Sequence, residues 1–226
     1  MARMLLGVFM ALTVAFAAAA DDAGRITVTG IGQVAAAPDM ATIRLGVVEE
    51  AASAAEAMRA ASAASAAILA EVEAAGIAAR DVQTSDLSMG PVWGDGGPGQ
   101  PRIVAFEARN TLMVRVRDLS ALGGVLDAVL EAGANRFEGL SFSLQDPEPV
   151  ADEARRRAVE DAARKAALYA GAAGVTLGPI LEISESGAAR PQPMEMAMAR
   201  LADAMPIAEG EVSTEAHVTI VWAIGD

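Results

Sequence analysis

The sequence contains no cysteine. Disulfides, thiolate nucleophiles and cysteine-based metal sites are therefore excluded. Histidine is nearly absent too, with His217 alone. A single imidazole cannot form a zinc cluster, and the spacing assembles no Ser/His/Asp set around it. His217 stands beside Val218 in an alternating apolar stretch, the setting of a packed or exposed strand residue rather than of a general base. Aromatic residues make up only 4% of a chain that is 53% hydrophobic, because alanine supplies much of the apolar content. A core built from such residues depends on small side chains and close backbone approach. Positive charge is also scarce, with 17 basic residues against 30 acidic ones and a net charge of −13. That balance argues against nucleic acid or anionic lipid as the main partner, since both call for a basic surface.

Turning to what is present, the first twenty residues differ from the rest. Arg3 is followed by an apolar run from Met4 to about Phe16, and Ala18, Ala19 and Ala20 precede Asp21. This is the pattern of a secretory signal peptide over residues 1–20, cleaved near Ala20. The run is short for a bilayer span, which needs about 20 residues. The mature chain is expected to carry no integral membrane span. Export without cysteine suits the bacterial periplasm, where stability has to come from packing or assembly.

Along the mature chain, Ile26, Val28 and Ile31 alternate with Thr27 and Thr29, and Ala41, Ile43, Leu45 and Val47 alternate again after Pro38-Asp39. The stretch reads strand, bend, strand. Gly30 and Gly32 between them resemble the start of a dinucleotide loop, but the third glycine position is Ala35 and a strand follows instead of a helix. A bulge or a close crossing of chains is the better reading. Residues 50–75 read as a helix ended by Gly76, with a narrow stripe through Met58, Ala61, Ser65, Ile68, Leu69 and Val72. A strand follows, with Val82, Leu87 and Met89 as inward positions. Residues 90–101, rich in glycine and proline, read as a loop. A long strand then carries Leu112, Val114 and Val116. A helix capped by Asp118 or Ser120 runs through Leu122, Val125, Leu126, Val129 and Leu130 to Gly133. A strand lies around Phe137–Leu144, a helix from Asp146 to about Ala173, and strands around residues 178–186 and 210–226, separated by a methionine-rich segment at 187–209.

The resulting order is β-β-α-β-β-α-β-α-β-β. It implies an α+β fold: a two-layer α/β sandwich with a mostly antiparallel sheet and long helices laid on it. Residues 109–185 form a candidate subdomain within it.

Few residues offer chemistry. Arg155, Arg156, Arg157, Arg164 and Lys165 form a basic run, but Asp152, Glu153, Glu160 and Asp161 lie three or four positions away. Helical pairing turns that run into a salt-bridged face. The other side of the same helix is a row of alanines at 154, 158, 162, 166 and 170, suited to close packing on a sheet or another helix. Met194, Met196 and Met198 alternate in "MEMAM" and are the one candidate Cu(I) site, although such a segment is equally an adaptable contact surface or a sacrificial oxidation site. No catalytic residue and no cofactor is expected. Val92, Trp93, Met194 and Met196 are the candidate contacts of a homo-oligomer.

The chain resembles the SIMPL-domain family of bacterial periplasmic proteins. The resemblance is carried by "ITVTGIGQVAAAPDMATIRLGV" at 26–47, "GIAARDVQTSDLSM" at 76–89 and "FEARNTLMVRVRDLSALGGVLDAVLEAGANRFEGLSFSL" at 106–144. It continues in "EARRRAVEDAARKAALYAGAAGVTLGPILEISE" at 153–185 and "PIAEGEVSTEAHVTIVWAI" at 206–224. It assigns 24–226 to one SIMPL domain. It implies an exported, non-enzymatic protein that self-assembles, contributes to envelope or oxidative-stress tolerance, acts as an antigen in pathogens and associates peripherally with the outer membrane. An adaptor for a peptide or lipid, or a Met-rich copper-binding protein, are the alternatives.

Overall fold

The computed structural model describes residues 24–95, 97, 100–187, 190–194 and 207–225. The expected signal peptide, Met196 and Met198 lie outside the described residues. The elements are β1 (Arg25–Ala36), β2 (Met40–Ala51), α1 (Ala54–Ala74), β3 (Val82–Asp95), β4 (Pro101–Val116), α2 (Leu122–Glu131), β5 (Arg136–Ser143), α3 (Glu148–Ala173), β6 (Thr176–Glu185), β7 (Arg190–Met194) and β8 (Glu211–Gly225). The class is α+β, as the pattern of periods implied. The sheet, however, is divided in two. One has the order β3-β4-β2-β5; the other has the order β1-β8-β6, with β7 also paired to β8. Every described pairing is antiparallel.

Each sheet has its own helices and its own core. Ile43, Leu45 and Val47 of β2 and Leu112, Val114 and Val116 of β4 are buried with Ile68 and Val72 of α1 and Val125 and Val129 of α2. Val28, Ala216, Val218, Ile220 and Trp222 are buried with Ala154, Ala158, Ala162 and Ala166 of α3. Residues 109–185, expected as a subdomain, are split between the two: the inner part of β4, α2 and β5 belong to the first unit, α3 and β6 to the second. The first unit is a continuous insertion, β2 to β5, between β1 and α3.

Local signals position the helices. Ser53 caps α1, its Oγ accepting from the Glu56 N–H at 3.3 Å and donating to Glu56 Oε2 at 2.9 Å, so that its hydroxyl satisfies one free donor of the first turn. α3 ends at Gly174, held at φ 72°, a left-handed turn that costs glycine little.

Gly30 and Gly32 mark a close crossing. The β1–β8 register runs without interruption from Arg25–Ala223 to Ala36–Val212, so there is no bulge. A Cβ built on Gly30 would stand 2.0 Å from the Ala158 carbonyl oxygen, and one on Gly32 would stand 2.0 Å from that of Ala154. The two glycines let the backbone of α3 rest directly on β1, and the alanine row completes the fit.

That approach lets α3 cover the outer edge of β1. The Ile31 N–H donates to Asp161 Oδ2 at 3.0 Å, Arg157 Nη1 donates to the Gln33 carbonyl at 2.9 Å, and Lys165 Nζ donates to the Thr29 carbonyl at 3.2 Å. These are the unpaired groups that otherwise recruit a foreign strand. The two links between the units, residues 37–39 and 144–147, are tied to each other. The Gln145 N–H donates to Asp39 Oδ1 at 2.7 Å, and its side-chain Nε2 donates to the Asp39 and Arg117 carbonyls at 2.9 and 3.1 Å. Arg117 grips the buried Asp81 with two hydrogen bonds of 2.8 and 2.7 Å. This guanidinium holds the Asp81 carboxyl below its ordinary range.

Candidate functional site

Two features of the first unit stand out from its packing: an exposed β-ribbon and an apolar pocket.

The ribbon corrects the expected loop at 90–101. β3 runs on to Asp95 and β4 starts at Pro101, with Met89 opposite Ala108, Val92 opposite Ala105 and Trp93 opposite Ile103. No residue of β4 on the turn side of Ala108 is buried, and the facing part of β3 is exposed or half-buried. Leu87 and Met89, expected to point inward, are 58% and 48% exposed: β3 is an edge strand, and the buried face of α1 packs on β2 and β4 beside it. Trp93 is 60% exposed, with Ile103 and Val104 bare nearby. A two-stranded ribbon is marginal in water unless something packs on it. Among the oligomer-contact candidates, Trp93 and Val92 therefore sit within a paired strand instead of a loop. Met194 ends β7, its backbone opposite Glu211; the Cu(I) and contact readings of Met196 and Met198 concern positions outside the description.

The pocket lies between α2 and β5 and has a volume of about 670 Å³. Leu45, buried in the sheet, lines it. Leu126, Val129, Leu130, Phe137, Leu140 and Phe142 form the walls, and Ile207 and Ala208, just before β8, line it too. Asp127, Asn135 and Arg136 are its polar side chains. Asn135 is spent on structure: its Oδ1 accepts from the Val48 N–H at 2.8 Å and its Nδ2 donates to the Val48 carbonyl at 2.9 Å. Arg136 pairs with Glu138 at 2.8 Å, and this contact holds the Glu138 carboxyl below its ordinary range. Sequence reasoning placed Leu126 and Leu130 on a helix stripe but missed the pocket. Half the surface of Leu130 and Phe137 is exposed, yet the period of their segments is that of ordinary core residues.

The remaining candidates sit in strand and helix contacts. His217 lies on the face of β8 opposite the buried Val218 and meets Glu215 at 2.6 Å. The basic run on α3 is ion-paired, Arg155 to Glu148, Asp152 and Glu185, Arg156 and Arg157 to Glu153, and Arg164 and Lys165 to Asp161. The hydrogen bonds from Lys165 and from the Ile31 N–H hold Asp161 far below the usual carboxylate range. Among the described residues no group of three His, Cys, Asp or Glu side chains is placed to hold a metal ion. Among them, too, no helix is long and apolar enough to cross a membrane.

Comparison with known proteins adds the context. The model of the SIMPL family, described as a protein of unknown function (DUF541), matches residues 26–222. The 26 kDa periplasmic immunogenic protein of Brucella melitensis is 39% identical over 214 residues, 88% of this chain and 84% of that protein. Its counterpart in Brucella abortus is 39% identical over the same shares. The uncharacterized protein YggE of Escherichia coli K12 is 29% identical over 197 residues, 87% of this chain and 79% of that one.

Proposed function

The chain belongs to the SIMPL family and is a periplasmic protein, and on that footing we propose that it works by assembling with copies of itself, without catalysis, and so contributes to envelope or oxidative-stress tolerance. The observation that carries the assembly reading is the ribbon. Leu87, Met89, Trp93, Ile103 and Val104 are exposed on a strand pair that projects past the core of its own unit. Trp and Met are enriched in the cores of protein interfaces. The α3 face, the other surface of small residues, is already used against β1 and β8, and α3 side chains occupy the outer edge of β1. β6, an edge strand, also exposes Ile180, Leu181 and Ile183, but the ribbon adds Trp and Met, the types enriched in interface cores, and is the surface we assign to assembly.

Light scattering on the mature protein tests this. The parent is expected to run as an oligomer, and Trp93→Ala to shift it toward smaller species with an unchanged circular dichroism spectrum. Losing a buried interface anchor of this kind costs about 2 kcal/mol or more. A monomeric parent refutes assembly, and a Trp93→Ala variant of full native mass refutes the ribbon as its interface. The stress role is read separately, as lost survival of a deletion strain after peroxide exposure. A second reading, a binding module, is favoured by the pocket between α2 and β5.

A further inference from the structure

We propose that the pocket between α2 and β5 binds the single acyl chain of a lysophospholipid with a zwitterionic head. The proposal stands apart from assembly, since binding is counted per chain whatever the native mass.

The walls decide the kind of occupant. Leu45, Leu126, Leu140, Phe142 and Ile207 present carbon to the interior, and the polar side chains that line the pocket are Asp127, Asn135 and Arg136. Asn135 has both ends of its amide committed to Val48. A peptide entering here would bring N–H and C=O groups that find few partners, and each buried without one is costly. An acyl chain brings no polar group except at its head. The volume, about 670 Å³, falls in the ordinary range for small-ligand pockets.

The charges decide the head. Asp127 is an exposed carboxylate on α2 with no ion pair among the described residues, and Arg136 opens β5. Arg136 spends its Nε on Glu138, so a phosphoethanolamine head would share that guanidinium with Glu138 through its phosphate and set its ammonium toward Asp127. A singly anionic head would meet Asp127, and the Glu138 carboxylate on Arg136, with nothing to offset them. It would also approach a chain with a net charge of −13.

Gly123 supplies a clean test. It lines the pocket from the first turn of α2, and a Cβ there meets nothing within 4 Å. Gly123→Phe fills the space with a ring while improving helix propensity, so the fold should survive; the melting temperature checks this. Calorimetry on the mature full chain, below micelle-forming concentrations, uses palmitoyl lysophosphatidylethanolamine, palmitoyl lysophosphatidylglycerol and palmitic acid as probes. The expected result is saturable binding of one lysophosphatidylethanolamine per chain, with the two anionic probes at least about tenfold weaker. Gly123→Phe should weaken binding by at least about tenfold. Asp127→Asn, on the exposed surface of α2, should narrow the gap between zwitterionic and anionic probes. Absence of saturable binding, parental binding by a folded Gly123→Phe protein, or equal binding of zwitterionic and anionic heads overturns the proposal. If Gly123→Phe melts early, Leu130→Ser, at an exposed wall position, replaces it under the same criteria.

Discussion

Replacing Gly30 by alanine adds one methyl group at the most crowded point of the second unit. The new Cβ would lie 2.0 Å from the Ala158 carbonyl oxygen, 2.5 Å from the Ala162 nitrogen and 2.8 Å from the Ala162 Cβ. Carbon–oxygen contacts of this kind settle at about 3.3–3.6 Å. The helix therefore has to lift by more than about 1 Å, and nothing flexible can yield, because the clash is with helix backbone. Lifting α3 opens a gap along the buried alanines at 151, 154, 158, 162, 166 and 170. A gap of about 0.5–1 Å forfeits a quarter to a half of each dispersion contact. Overpacking in cores costs about 1–3 kcal/mol, occasionally more, and this site joins overpacking to a strained contact with backbone. We expect about 3 kcal/mol for Gly30→Ala and the same for Gly32→Ala, which would meet the Ala154 oxygen at 2.0 Å. The double variant should cost less than the sum, since one lift relieves both clashes.

Urea unfolding followed by tryptophan fluorescence measures the loss. Trp222 lies in the second core and Trp93 on the exposed ribbon, so a Trp93→Phe background isolates the signal of the affected unit. Two glycines serve as controls. Gly139→Ala on β5 and Gly171→Ala on α3 meet nothing within 4 Å. The first should change stability by less than about 0.5 kcal/mol, and the second should raise it by up to about 1 kcal/mol. A Gly30→Ala protein as stable as its parent would refute the close-crossing account of the Gly-x-Gly.

Acid should weaken the second unit through Asp161. Its native pKa is depressed, so its stabilisation is complete above the ordinary aspartate value of about 3.9 and is lost as pH falls below that toward the native value; Asp161→Asn should flatten this part of the stability–pH curve, and an unchanged acid limb counts against the role. The same variant leaves the Ile31 N–H facing a weaker acceptor, so light scattering after incubation at neutral pH should show more association than in the parent. Mass spectrometry of protein recovered from the periplasm should find an N-terminus within a few residues of Asp21, whereas an intact Met1 in the membrane fraction would contradict cleavage.

Element types were legible wherever a single period or a single cap governed them. The alternation of β8 and the glycine after α3 each act within a few residues, and each was readable locally; the stripe of α1 was readable at Ala61, Ser65, Ile68 and Val72, but it runs through Ala57 rather than Met58 and leaves Leu69 exposed. The ribbon was misread because glycine and proline at 90–101 argue for a loop, while pairing with β4 overrides that preference. The division into two sheets was invisible for a different reason. It depends on β1 pairing with β8, where Arg25 meets Ala223, and a strand's pattern carries no address for so distant a partner.

The opening glycines show how the local and distant constraints meet. Gly30 and Gly32 are weak strand residues by themselves, and alanines spaced along α3 make a poor hydrophobic stripe. Set against each other, they allow a contact between backbones that larger side chains would forbid. The same contact brings Asp161, Lys165 and Arg157 within reach of the β1 edge. A pattern that resembles a phosphate loop in isolation thus gives a helix seat and a guarded strand edge. Exposed apolar groups remain on both units, Ile180, Leu181 and Ile183 on β6 and Trp93, Ile103 and Val104 on the ribbon, and the pocket between α2 and β5 lies in the inserted one. The proposed assembly and ligand binding both draw on the inserted unit, β2 to β5, while in the other unit α3 guards the β1 edge.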